Sequence, residues 1–110
     1  MIAPRHKHGQ VTPTRANAEH LLRLAVHCEV DADVAEENGD AAGAAFAARI
    51  AARRYMRLAG WTVAGDLLER ANFADRAERT YRRGRSYQKA LGAAAYAAEL
   101  RAASASRRAA

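Results

Sequence analysis

Residues 40–60 read DAAGAAFAARIAARRYMRLAG. Alanine is the best helix former, because it loses no side-chain entropy on entering a helix, and arginine and leucine follow closely. Asp40 offers a carboxylate to the free N–H groups of a first turn, which predicts a helix over Ala41–Ala59 with Asp40 as its cap. Ala44, Ala48, Ala51, Tyr55 and Leu58 recur at helical spacing and define one buried stripe, and Gly60 stops the helix. A stripe made mostly of methyl groups lets a neighbouring helix approach closely but buries little area per residue. An all-α chain with a thin core follows.

The flanking sequence continues this pattern. Thr12 and Pro13 suit the cap and first position of an earlier helix running to about Glu37, with Leu21, Leu24, Cys28, Ala32 and Ala35 on one face. Asn38-Gly39 ends it. Downstream, Thr62 caps a third helix to about Arg70, and Ala71-Asn72 reads as a turn. A fourth helix runs from Phe73 or Ala74 to Arg83, with Ala74, Ala77 and Tyr81 inward, and Gly84 closes it. Ser86 caps a fifth, which turns Tyr87, Leu91, Ala94 and Ala98 inward and carries Tyr96 and Leu100 on an adjoining stripe. Gly43, Gly65 and Gly92 fall inside helical patterns, where close backbone packing would offset their cost. Trp61, Tyr55, Leu68, Tyr81 and Leu91 are the expected core anchors.

About five antiparallel helices joined by short connections make a small right-handed array or bundle. Residues 1–12 form a flexible basic arm, 13–103 a single helical domain, and 104–110 a frayed tail.

Composition bounds the function. Of 110 residues 30 are Ala, and Leu, Ile, Val and Phe together make 17. One domain accounts for the length. The single Cys28 excludes a disulfide framework and fits a reducing cytoplasm. No apolar run approaches the ~18 residues of a membrane span, and the start lacks a secretory signal's apolar core. The formal charge of +6 belongs wholly to residues 56–110. An anionic partner such as nucleic acid would explain it, and so would GC-rich codons, since Arg outnumbers Lys 16 to 2.

Residues 61–84 carry a nameable pattern: Trp61, Ala64, Gly65 and Leu68, then Ala77 and Tyr81. This resembles the tetratricopeptide repeat, W-x2-L-G-x2-Y followed by A-x3-F. Ala64 and Leu68 replace larger family residues, and no Pro follows. An upstream copy is faint, pairing Asn38 with Asn72 and His27 with Trp61. The resemblance implies paired helices and protein or peptide binding. It transfers no binding residue, because the matched positions are packing positions.

Two sets of arginines stand out. Arg49, Arg53 and Arg57 lie at steps of four on the second helix with Arg54 beside them and no neutralising acid nearby, a candidate ridge for an anionic partner. Arg76, Arg79 and Arg83 form a second ridge, with Arg82 and Arg85 close, where Asp75 and Glu78 each precede an Arg by four in the favourable acid-first order. The segment from Leu67 to Phe73, followed by this Arg-rich helix, also resembles a helix-turn-helix DNA reader, with Arg76, Arg79, Thr80 and Arg83 as donors.

Glu29, Asp31, Asp33, Glu36, Glu37 and Asp40 form a run of acids without a cation. Acids at a helix C-terminus oppose the macrodipole, so a compensating cation is expected nearby. His6, His8, His20, His27 and Cys28 match no metal-ligand spacing. No phosphate loop, carboxylate pair or activated nucleophile is present. The sequence therefore points to a non-catalytic, cytoplasmic protein-binding module without cofactor or metal, an adaptor or regulatory subunit whose partner is another protein or, by self-association, its own copy. The alternative is a DNA-binding regulatory protein using the Arg-rich helices.

Overall fold

A computed structural model describes residues 12–109. Four α-helices follow in chain order: α1 (Arg15–Glu37), α2 (Ala41–Gly60), α3 (Leu67–Arg83) and α4 (Tyr87–Ala109), with one 3-10 turn over Thr62–Ala64 between α2 and α3. Among the described residues the fold is all-helical, as the composition leads one to expect, but with four helices rather than five. The expected arm, except for Thr12, lies outside the described residues, and α4 is helical through residues 104–109.

The fifth helix disappears because the break falls elsewhere. Ala71 is fully buried and Asn72 stays helical, so α3 runs straight through the expected turn. The chain breaks instead at Gly65, whose φ of 152° an L side chain rarely adopts. Asp66 then restarts the helix with a capping box. Its carboxylate accepts the Glu69 N–H at 2.8 Å, and the Glu69 carboxylate accepts the Asp66 N–H at 3.1 Å. Trp61, Ala64 and Gly65 consequently precede α3, so the segment that resembles a repeat does not form two helices. The hinge of the helix-turn-helix resemblance is likewise continuous helix.

Capping also moves the start of α1. Thr14, not Thr12, is the cap: its hydroxyl accepts the Asn17 N–H at 3.1 Å, and the Asn17 side chain donates back to the Thr12 carbonyl at 2.8 Å. Asp40 caps α2 as expected, accepting the Gly43 N–H at 2.8 Å. The two hairpin turns are built alike. In each, an N–H reaches back five residues, Asp40 to Ala35 and Ser86 to Tyr81, both at 2.8 Å, around a left-handed residue. That residue is Gly39 in the first turn and Arg85, at φ 61°, in the second.

The helices pack in sequence, α1 on α2, α2 on α3 and α3 on α4, with only marginal contact between other pairs. Tyr55 and Leu58 are the largest fully buried side chains, and fourteen alanines supply most of the remaining core. Tyr55 and Tyr81 anchor it as expected and Trp61 is half-buried, whereas Leu68 and Leu91 are exposed. The α2 stripe is buried in full. On α1, Ala18 and Ala25 are buried with Leu21 and Ala32, while Leu24, Cys28 and Ala35 are half-buried.

The helix α4 is rotated from expectation. It buries Ala90, Ala93, Ala97 and Leu100, leaving Tyr87 and Leu91 outside. Polar ties hold that rotation: Arg101 pairs with Asp75, and the Tyr96 hydroxyl receives a bond from Arg70 at 3.1 Å. Gly92 meets nothing within 4 Å, so close packing does not explain it. The close approach occurs at Gly84 instead, where a Cβ would lie 3.0 Å from the Ala45 carbonyl oxygen.

Candidate functional site

The candidate ridge on α2 divides in two. Arg49 turns toward α3 and donates to the Gly84 carbonyl at 2.8 Å. Arg54 turns toward α1 and donates to the Cys28 sulfur at 2.7 Å. Arg53 and Arg57 remain exposed, and neither makes an ion pair among the described residues. Helical spacing places them on the outward side of α2 with the exposed Phe46, opposite Tyr55.

The second set faces the acidic run of α1. Arg76 Nη2 donates to the Tyr55 hydroxyl at 2.7 Å and lies 3.4 Å from Glu29 Oε1, with its guanidinium carbon 4.4 Å from the Tyr55 ring centroid. The Tyr55 hydroxyl itself donates to Glu29. Burial, with Glu29 next, pushes the Tyr55 pKa far above that of a free phenol, so the proton stays on oxygen. Two turns on, Arg83 lies 2.7 Å from Asp33 and 2.7 Å from Glu36. The bond to Asp33, reinforced by Glu36 against partial burial, holds the Arg83 guanidinium more firmly protonated than usual.

The expected compensating cation is thus present, and it comes from α3. Arg76 and Arg83 span the gap between α1 and α3, helices with little backbone contact. Arg82 pairs with Glu78 at 3.0 Å within its own helix, in the expected acid-first order. Asp75 does not pair with Arg79. It pairs with Arg101 of α4, which also reaches Asn72 at 3.3 Å. Arg79 and Arg85 are exposed. Of the nine candidate arginines, four are therefore committed to contacts between helices and one to its own helix.

A second surface feature lies outside these arginines. Val26, Val30 and Val34 of α1 are 40%, 50% and 50% exposed, and their steps of four place them in one stripe. Tyr87 and Leu91 of α4 are 58% and 59% exposed, also one turn apart. The valine spacing is readable in the sequence, but on a helix with two apolar stripes spacing does not say which stripe the core takes.

A cleft of about 470 Å³ lies where α1, the 3-10 turn and the start of α3 meet. Leu22, Leu58 and Phe73 line its apolar part, and Glu19, Asp66 and Glu69 its polar part. Among the described residues no cluster of three His, Cys, Asp or Glu could hold a metal ion. His27 lies 3.9 Å from Asp31 on the surface. No described helix is long and apolar enough to cross a membrane. Comparison with protein-family models, with curated proteins and with solved structures returned no match.

Proposed function

We propose that the chain is a non-catalytic protein-binding module, an adaptor or regulatory subunit. One observation carries this reading. The described residues include fifteen Leu, Ile, Val and Phe side chains, and seven of them, Val26, Val30, Val34, Phe46, Val63, Leu68 and Leu91, are exposed. Only Leu21, Leu58 and Leu100 are buried. A chain short of large hydrophobes leaves most of them outside the core, and four of the seven exposed ones, Val26, Val30, Val34 and Leu91, lie on α1 and α4, the helices that have a neighbour on one side only. Contiguous apolar surface rimmed by charge is the usual mark of a protein interface.

The test is capture by the immobilised full chain beside Val30→Asp and Leu91→Asp. Proteins retained by the wild type and lost on at least one variant support the reading. An identical retained set on all three sinks it.

A second reading rests on Arg53 and Arg57, which point outward from α2 without an acidic partner among the described residues. They would contact phosphates of a nucleic acid. Duplex binding that weakens steeply with salt, with a log–log slope reduced by about two in the Arg53→Ala, Arg57→Ala double variant, would favour it. No duplex binding at low salt removes it.

A further inference from the structure

We infer that the apolar face of α4 docks on the apolar face of α1 in a second copy of this chain, giving head-to-tail association. The inference rests on the protein-binding reading and names its partner.

Helices α1 and α4 are the two ends of an array in which each helix packs mainly on its neighbour in sequence. Two intervening helices keep them from covering one another within one chain. Both leave an apolar stripe in solvent, Val26, Val30 and Val34 at one end and Tyr87 and Leu91 at the other. The α4 stripe continues through the small Ala94 and Ala98, leaving room for the valines. Each stripe runs in steps of four, the ridge spacing that packs into a facing groove.

Charge chooses the partner and the direction. The last turn of α1 carries no base and two acids: Glu36, which Arg83 of the same chain already pairs, and Glu37, which makes no ion pair among the described residues. The first turn of α4 carries Lys89 and no acid, and Arg85 lies two residues before the helix. Both ends oppose their own macrodipole, the negative end of α1 bearing acids and the positive end of α4 bearing bases. An antiparallel pairing of α4 with the next copy's α1 places Glu37 beside that positive end and those bases beside that negative end. Val34 then meets Tyr87, and Val30 meets Leu91.

The fold already presents the two ends correctly. One surface hollow is lined by Glu36, Gly39, Arg83 and Arg85, so both hairpin turns lie at the same end of the molecule. A copy displaced sideways across the helices therefore brings α4 antiparallel to α1, the same arrangement as α1 with α2 and α3 with α4. Such an interface is heterologous: a dimer keeps one free face of each kind, one on each copy, and association proceeds beyond the dimer unless a ring closes.

Sedimentation of the full chain over a range of concentrations tests this. The wild type is expected to shift from monomer to dimer and larger species as concentration rises. Val30→Asp and Leu91→Asp, each at an exposed position and each checked for an unchanged helical spectrum, are expected to weaken association by about tenfold or more. Mixing the two variants is decisive. Each retains one intact face, so a mixture forms a heterodimer that neither forms alone and that cannot grow. Recovery of that dimer supports head-to-tail docking, and failure to recover it overturns the geometry. Glu37→Lys leaves both apolar faces intact and is expected to weaken association as well; an unchanged constant overturns the antiparallel direction. A wild type that stays monomeric throughout overturns the inference, while the protein-binding reading is decided separately by the capture experiment.

Discussion

The Arg49 guanidinium donates to the carbonyl of Gly84 at 2.8 Å and so joins the middle of α2 to the end of α3. Gly84 has an ordinary φ of −82°, so its backbone alone does not require glycine. What requires it is proximity. A Cβ there would stand 3.0 Å from the Ala45 carbonyl oxygen and 3.2 Å from the Arg49 nitrogen, and nearer still to the Arg49 side chain. The left-handed position one residue later is taken by Arg85.

Gly84→Ala should accordingly destabilise the fold by about 1–3 kcal/mol, the range for forcing a methyl group into a filled space. Urea unfolding of the two proteins measures it. A midpoint within error of the wild type would mean that α2 and α3 separate freely there.

Arg85→Gly should act in the opposite direction. Arg85 holds φ 61° and makes no ion pair among the described residues, so the substitution relieves about 1 kcal/mol of backbone strain. The greater freedom that glycine gives the unfolded chain offsets part of this. A raised melting temperature is expected; a lowered one would show that the Arg85 side chain carries stabilisation of its own.

Tyr55 and Tyr81 predict an alkaline limit. Burial raises both pKa values above the ordinary 10.0, so above that pH the unfolded chain releases protons that the folded chain keeps. Their contribution to stability is complete below about pH 10 and is lost as pH rises, by up to about 1.4 kcal/mol per pH unit for each tyrosine. Urea midpoints at pH 9, 10 and 11 check the slope. Tyr55→Phe should remove one tyrosine's share, and a wild-type midpoint flat to pH 11 would contradict the account.

Arg76→Ala should cost about 1–3 kcal/mol, because it leaves the half-buried Glu29 carboxylate without its cation and the Tyr55 oxygen without its donor. A cycle with Glu29→Gln measures the coupling, expected to be favourable and weakened by salt. Arg83→Ala should cost less, about 0.2–1 kcal/mol, since Asp33 and Glu36 are mostly solvated. Equal losses at the two positions would contradict the ranking by burial.

Features decided within a few residues were legible in the sequence. Asp40 as a cap, Asn38-Gly39 and Gly84 as stops, and the α2 stripe all follow from local hydrogen bonding or from spacing on one helix. The Asp66–Glu69 capping box was equally local, and the D-x-x-E pattern after Gly65 marks the start of α3 better than Thr62 does. Other features depend on partners distant in sequence. Nothing near Ala71-Asn72 reveals that burial of Ala71 keeps α3 continuous. The rotation of α4 depends on Asp75 and Arg70, and the use of Arg49 and Arg54 depends on Gly84 and Cys28. A row of arginines looks solvated until the helices beside it are in place.

The alanine core has a consequence for inheritance. A core of leucines fails chiefly by losing atoms, and a shortened side chain leaves a hole that neighbours can partly fill. Here fourteen buried positions are alanine and have almost nothing to lose. A one-base change to an alanine codon gives Val, Thr, Pro, Ser, Asp, Glu or Gly. All but glycine add atoms, and glycine weakens the helix. Random mutation therefore reaches this interior almost entirely by crowding it, and suppressors of such damage should arise as smaller residues on the facing helix.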